Sequence, residues 1–508
     1  MTEKKNDCVF SKMSRQYRPS VHFTPPAGFM NDPNGLIFDG AHYHLYYQHN
    51  PDAAFSANIC WGHAISTDLL NWKDQPIAVP ATIDGQAYTG CAVLDRDNSS
   101  GLFPNAHGTN IAALYTRSLP TRQSQYLAVS TNNGQSFEEY QGNPVLDIGS
   151  PNFRDPQVFF HEPTRKWVMA LAEVEKHQIG FYGSTDLIHW THLSNFGPAG
   201  LPAVNYECPN LIQICDEHGA LRWVLFVSIN PGSPMGGSVT QYFIGEFDGA
   251  VFTPSDAILR MTDFAKDAYA MQVYSGLQPG EAVTLAWMGN WQYCQELPTQ
   301  DWRGAMSLPR RLSIRQDPNG YPRLVQTPMN IEKLRRTLLC EKAAYLPKGA
   351  HRDISLPTGR AIELVIRLKV DESYQTDPAI SGPEINRFEI AFANDAGEKL
   401  SVGYDVPSAQ IWLDRSKLRG FDHPFYTGRF ATPINTALYP DARMLDLHLF
   451  LDGCAFEIYA NEHLETGTAL VYPGKPLDML RLKADGIGVT IDHFELYTLD
   501  KTMCRETL

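Results

Sequence analysis

Hydrophobic positions along this chain recur in short strand-length runs, the first of them alternating, rather than at helical spacing. The stretches 42–48, 167–172, 223–228 and 283–288 are rich in β-branched and aromatic residues and are bounded by turn formers. Runs of this kind predict strands. Long amphipathic helical patterns are almost absent. The best helical stretch, 329–339 (MNIEKLRRTLL), reads as a linker helix between two domains. Alternation then resumes at 361–370, 388–393, 447–451 and 456–460. Short strands separated by turn signals predict a sandwich.

A weak repeat subdivides the first part. Ser66-Thr67-Asp68-Leu69-Leu70-Asn71-Trp72 resembles Ser184-Thr185-Asp186-Leu187-Ile188-His189-Trp190. Looser copies occupy 130–137 (STNNGQSF) and 247–252 (FDGAVF). Their closing aromatics, Trp72, Phe137, Trp190 and Phe252, lie 53 to 65 residues apart. Repetition at that period predicts propeller blades, and about 310 residues at about 60 each makes five. The expected chain is all-β: a flexible tail over 1–20, a five-bladed β-propeller over 21–340 and a C-terminal β-sandwich over 341–508.

Composition narrows the partners. A chain of 508 residues that is 43% hydrophobic has enough apolar material for large cores. A net charge of −14 speaks against nucleic acid or an anionic membrane as the main partner. No apolar run is long enough to span a bilayer. The first twenty residues lack the apolar segment of a secretory signal, so the expected location is the cytoplasm. The nine cysteines are scattered and odd in number, without a C-x-x-C pair, which predicts reduced thiols and no zinc site. The single sequon, at Asn98, is what chance supplies. His42 and His44 share a strand face, but no third ligand accompanies them, so no metal is expected.

Three carboxylate motifs are candidates for chemistry, and each also has a structural reading: a turn, an ion pair and a surface Glu before a turn. Asn31-Asp32-Pro33-Asn34-Gly35 contains a turn tetrapeptide, and the same four residues recur at Asp317-Pro318-Asn319-Gly320 in a polar context that reads as a plain β-turn. The first copy differs by its surroundings, an aromatic, an amide and a carboxylate at the start of the first blade. The second motif is Phe153-Arg154-Asp155-Pro156-Gln157. Pro156 pushes Asp155 toward an extended backbone, and strand alternation sends Arg154 and Asp155 to opposite faces. The third is Tyr206-Glu207-Cys208-Pro209-Asn210. Apolar neighbours raise a carboxyl pKa, which a general acid near neutral pH needs.

In this order the three motifs resemble those of glycoside hydrolase family 32, the β-fructofuranosidases. Trp61-Gly62-His63-Ala64, Asp267-Ala268-Tyr269-Ala270, Trp287-Met288-Gly289-Asn290-Trp291 and, in the C-terminal part, Trp412-Leu413-Asp414-Arg415-Ser416 extend the resemblance from about His22 to about Leu496. It implies a five-bladed propeller with a β-sandwich, and a retaining enzyme that cleaves terminal fructofuranosides such as sucrose through a covalent fructosyl ester. Carried over position by position, Asp32 matches the nucleophile, Glu207 the general acid/base and Asp155 the carboxylate that stabilises the transition state. Asn31, Gln48, Trp61, Tyr88, Thr89, Arg154, Tyr269 and Trp302 match the sugar pocket. Asp32, in a polar box, is expected to stay ionised while Glu207 holds its proton. No metal or organic cofactor is implied. The partner implied is a small sugar, and the sandwich domain, which carries no catalytic motif, is expected to add stability or a homodimer contact. The alternatives are a fructosyltransferase, a hydrolase of phosphorylated sucrose and a catalytically silent fructoside-binding protein. Four departures from the family pattern, at Phe29, Ser56 beside Phe55, Cys91 and Asn210, are expected on the pocket walls, where they bear on acceptor and substrate length.

Overall fold

The computed structural model describes residues 15–104, 109–201, 205–317, 319–371, 387–434 and 444–502. Five sheets of four or five strands are followed by two six-stranded sheets. The inner strands of the five blades are Gly28–Phe38, Gln86–Leu94, Phe153–His161, Asn205–Cys215 and Tyr269–Val273. Each contacts the next, and the fifth returns to the first. The ring closes where Ser275 donates its N–H to the Leu36 carbonyl and accepts from the Phe38 N–H, both at 2.9 Å. A short strand, Trp302–Arg303, then pairs in parallel with Gly28 and Phe29 and covers the remaining edge.

Each blade buries both faces, which is why its central strands read as near-continuous apolar runs. Along Lys166–Glu173, Val168, Ala170 and Ala172 pack toward blade four. Trp167, Met169 and Leu171 pack toward blade two. Each of the five gaps between blades holds one such cluster. The sequence repeats all fall on one feature, the turn from the third to the fourth strand of a blade. Asp68 and Asp186 each cap that turn by accepting two backbone N–H groups onto one carboxylate oxygen. Asp248 does so in blade four, and Asn132 accepts from Ser136 in blade two. The second turn tetrapeptide supplies the same turn in blade five. There Asp317 accepts from the N–H groups of Asn319 and Tyr321, while Pro318 lies outside the described residues.

Two expectations change at the domain seam. No helix forms over 329–339. Instead a 3-10 turn, Ile331–Leu334, buries two side chains and leads into the strand Arg335–Leu346. That strand pairs along its length with Val489–Leu499, and Arg335 grips the Glu363 carboxylate with two hydrogen bonds of 2.7 and 2.8 Å. Pairing with an available sheet edge outweighs local helix propensity, so the boundary expected at 340 falls inside a strand of the sandwich. Of the expected flexible tail, 1–14 lie outside the described residues, but 15–20 are docked. Tyr17 is 1% exposed and its hydroxyl donates to the Pro473 carbonyl. The Arg18 guanidinium lies over the Trp302 ring at 4.4 Å.

The two domains meet over an apolar seam containing Val21, Leu70, Leu308, Phe450 and Leu499. Inside it His22 sits between Asp452 (3.0 Å) and Glu457 (3.4 Å), and Arg310 reaches Glu457 at 3.1 Å.

Candidate active site

All five inner strands carry the same irregularity near their start. Pairing jumps from Met30 to Pro33, from Ala87 to Gly90, from Arg154 to Gln157, from Glu207 to Asn210 and from Tyr269 to Gln272. At each jump the inner strand advances three residues while its neighbour advances two, which is a β-bulge. The bulges fall at residues 31–32, 88–89, 155–156, 208–209 and 270–271, and they gather Asp32, Thr89, Asp155 and Cys208 into one hydrogen-bonded cluster. The bulged Asp155, Cys208 and Ala270 have φ of 66°, 46° and 52°. Such positive φ is uncommon for residues other than glycine. The extended backbone expected for Asp155 is therefore not what forms: the bulge outweighs the pre-proline preference.

Breaking the alternation is what assembles the site. Asp32 is 6% exposed and takes four hydrogen bonds: from Asn31 (3.2 Å), Gln48 (3.0 Å), Thr89 (2.7 Å) and the Cys208 thiol (3.5 Å). Asp155 accepts the Cys208 N–H at 3.0 Å and faces its thiol at 3.6 Å. The backbone N–H of Asp155 donates to Thr116 at 2.9 Å. One Glu207 oxygen accepts from Arg154 at 2.7 Å, and the other accepts the Tyr269 hydroxyl. Arg154 stands 3.9 Å from Asp155, so its short contact is with Glu207 in the next blade. Asn152 and Gln123 hold the guanidinium from behind at 3.2 and 3.3 Å.

Burial dominates the electrostatics of the two aspartates. Burial pushes the Asp32 carboxyl up to about 6, the Glu207 charge adds to this, and the hydrogen bonds from Thr89, Asn31 and Cys208 oppose it. Burial likewise pushes Asp155 up to about 7, against the pull of Arg154 and with the charges of Glu207 and Asp32. A polar sequence box thus does not leave Asp32 solvated. Nor do the apolar neighbours of Glu207 surround it. The Tyr206 hydroxyl turns away to accept the Ala199 N–H at 2.8 Å, and the Cys208 thiol turns to the aspartates. Glu207 meets a guanidinium and a phenol instead.

Of the sequence-derived pocket residues, Asn31, Gln48, Thr89, Arg154 and Tyr269 join the carboxylates directly. Tyr88 is half-buried and packs in the aromatic cluster that borders Cys208. The other two are placed by other contacts. Trp61 is fully buried between blades one and two and donates its indole N–H to the Tyr88 carbonyl at 2.9 Å, so it supports the wall from behind. Trp302 is 2% exposed and packs with Tyr17, Tyr293 and Tyr472 at the domain seam. Three of the four departures are buried. Phe29 is buried against Trp287 and Trp291. Cys91 accepts the Val158 N–H in the core between blades two and three. Asn210 is buried and bridges Gln272 and the Val273 N–H. At the fourth departure the Ser56 N–H donates to Gln295 at 3.3 Å, and its neighbour Phe55 is half-exposed in the loop that follows the strand of Gln48.

Sequence reasoning missed Cys208, whose thiol and N–H join both aspartates, and Thr116. Cys208 was visible as part of a motif, but nothing local indicates that its sulfur faces carboxylates from two other blades. The Asn31 Oδ1 atom is buried without a hydrogen-bond partner beside Asp32, an acceptor a ligand hydroxyl can satisfy. Among the described residues no group of three or more His, Cys, Asp or Glu side chains could hold a metal ion. The described cysteines are all unpaired.

Comparison with known proteins agrees with this geometry. Residues 22–328 match the glycosyl hydrolases family 32 N-terminal domain, and residues 330–498 match the family 32 C-terminal domain. An invertase of Schizosaccharomyces pombe is 35% identical over 89% of this chain and 79% of its own length. An extracellular exo-inulinase of Meyerozyma guilliermondii is 34% identical over 95% of each chain. The β-fructofuranosidase of Schwanniomyces occidentalis, solved with fructosyl-erythritol, superposes with a TM-score of 0.90 at 32% identity, covering 96% of this chain and 99% of that one.

Proposed function

This chain belongs to glycoside hydrolase family 32, and from that premise we propose that Asp32, Glu207 and Asp155 carry out the family's reaction in it. The protein is a β-fructofuranosidase that hydrolyses sucrose and fructans. In the proposed cycle an Asp32 oxygen forms a bond to the anomeric carbon of the fructosyl unit as the bond to the leaving oxygen breaks, and Glu207 gives that oxygen its proton. Water then attacks the same carbon, Glu207 takes a proton from it, and the ester to Asp32 opens. Two displacements retain configuration. Asp155 accepts from fructose hydroxyls and steadies the charge that develops on the ring. Arg154 and Tyr269 hold the Glu207 carboxyl toward the leaving oxygen. The Asn31 amide oxygen, buried and unpaired, suits a sugar hydroxyl.

The observation that carries this reading is the convergence of three carboxylates from three separate blades on one site, two of them against a single thiol. A catalytically silent binding protein would need no such set.

Product analysis tests it. Purified protein is given millimolar and near-molar sucrose, with Asp32→Ala as control. Glucose and fructose in equal amounts, absent with Asp32→Ala, are expected. Rapid quenching of the wild-type protein during turnover is expected to leave protein heavier by one fructosyl residue, attached at Asp32. Full activity in Asp32→Ala would refute the assignment. Trisaccharides and a deficit of fructose at high sucrose would add transfer to hydrolysis, with Phe55 as the first residue to vary.

A further inference from the structure

The segment 264–268 belongs to the propeller by sequence but is held by the sandwich. Phe264 and Ala265 are buried in the sandwich core. The Phe264 N–H donates to the Thr466 carbonyl at 2.8 Å, and the Asp267 N–H donates to the Thr468 carbonyl at 3.0 Å. Gly467 makes room for this approach: a Cβ there would stand 2.6 Å from the Phe264 ring.

The centre of the contact is an ion pair with no exposed surface on either side chain. Arg415 Nη1 donates to Asp267 Oδ2 at 2.6 Å, and the same oxygen accepts the Leu470 N–H at 2.8 Å. The other Asp267 oxygen accepts the Tyr293 hydroxyl. Arg415 also donates to the carbonyls of Thr427 (2.9 Å) and Leu470 (2.6 Å) and lies over the Tyr426 ring at 3.7 Å. Lys266 adds hydrogen bonds to the Phe425 carbonyl (2.7 Å) and to Thr427 (3.0 Å). Two residues beyond Asp267, the inner strand of blade five begins with Tyr269, whose hydroxyl reaches Glu207.

A buried ion pair is a weak source of stability, because desolvation consumes most of the attraction. A network with its donors and acceptors matched fixes geometry instead. We propose that the sandwich domain positions the acid–base group of the active site: Arg415, acting through Asp267, sets where Tyr269 presents its hydroxyl to Glu207. Arg415 and Asp267 are then positioning residues, and the domain without a catalytic motif has a part in the reaction. The inference rests on the roles given above to Tyr269 and Glu207.

A double-mutant cycle on the full chain tests it, with kcat expressed per folded active site counted by covalent fructosyl labelling. Arg415→Lys and Asp267→Asn are each expected to lower kcat for sucrose roughly tenfold with KM within about twofold, because a displaced catalytic group loses rate without losing ground-state binding. In a Tyr269→Phe background the same changes are expected to lower kcat by no more than about twofold further, since interacting residues are non-additive. Gly467→Ala, which keeps both charges but displaces Phe264 and with it the nearby Asp267 by steric contact, offers a second route should Arg415→Lys fail to fold, and the same pattern is expected of it. Equal losses in both backgrounds, or an unchanged kcat per folded site, would overturn the inference while leaving the proposed function standing. Tyr269→Phe at the wild-type rate would overturn the role of Tyr269 and the inference with it.

Discussion

Replacing Thr89 by valine should move the acid limb of activity toward neutral pH. Thr89 donates to Asp32 Oδ2 at 2.7 Å, and among the contacts that hold the Asp32 proton affinity down it ranks first. A hydrogen bond to an ionised group contributes about 1.5–3 kcal/mol. At 1.36 kcal/mol per pKa unit, losing it raises Asp32 by about one to two units, from about 6 to about 7–8. The sign follows from which form the bond favours. Thr89 stabilises the carboxylate, so its removal favours the protonated acid, and a protonated Asp32 does not attack carbon. The expected loss in kcat/KM is about five- to fiftyfold at pH 6 and shrinks as pH rises. Gln48 keeps its own 3.0 Å bond to the same oxygen, so the carboxylate stays oriented. Asp155 takes no bond from Thr89, and its share of the acid limb is common to both proteins. The assay is kcat/KM for sucrose against pH in buffers of constant ionic strength. A Thr89→Val profile that is uniformly lower but keeps its acid midpoint would refute the reasoning, because Thr89 would then shape the pocket without tuning the nucleophile.

Further predictions concern stability and reactivity. His22, wholly buried between Asp452 and Glu457, is held up to about 9 by these carboxylates, which outweigh the opposing effect of burial. Its contribution to stability is therefore complete below about 6.5 and is lost as pH rises through about 9. Urea unfolding should show that decline in the wild type, and His22→Ala should be about 3–5 kcal/mol less stable at pH 6 and nearly flat over the same window. Gly304 has φ of 95°, and a Cβ there would lie 2.1 Å from the Met30 carbonyl oxygen. Gly304→Ala should lower the unfolding midpoint and, because Met30 leads into Asn31 and Asp32, kcat as well; an unchanged kcat with a lowered midpoint would detach this seam from the site. Alkylation of the native protein at mild alkaline pH should label Cys340, which is exposed, and spare Cys208, whose thiol is pushed far above its usual range by burial and by the neighbouring carboxylates. Peptide mass mapping that finds Cys208 labelled with activity retained would contradict its placement between Asp32 and Asp155.

Local chemistry explains which features are legible in the sequence. An aspartate that accepts the backbone N–H groups two and three residues on makes its turn within a few residues, so the blade turns at Asp68, Asp186 and Asp248 leave a visible repeat. Strands buried on both faces leave apolar runs, and the three motifs keep their carboxylates in one order along the chain. These features depend on neighbours in sequence. The all-β architecture follows from them, while Asp32, Asp155 and Glu207 stand as candidates through the family resemblance of their motifs.

The rest depends on groups that meet only after folding. The bulges that turn Asp155 and Cys208 toward the axis consist of a mismatch between two strands, which neither strand records alone. Arg154 sits next to Asp155 in sequence, yet its short contact is with Glu207, 53 residues away. A polar sequence environment suggests an easily ionised Asp32, but solvent exclusion by five converging strands decides its proton affinity. The stretch from 329 onward departs from its sequence pattern for the same reason, and Trp302 is likewise placed by contacts that form only on folding. Burial at the seam and pairing with Val489–Leu499 are tertiary contacts, and each outweighs the few tenths of a kcal/mol per residue by which local propensity speaks. Sequence alone determined which groups are present and how the chain turns between them. Tertiary structure decided which of them touch, because long-range packing sets both the position of a side chain and the solvent it loses.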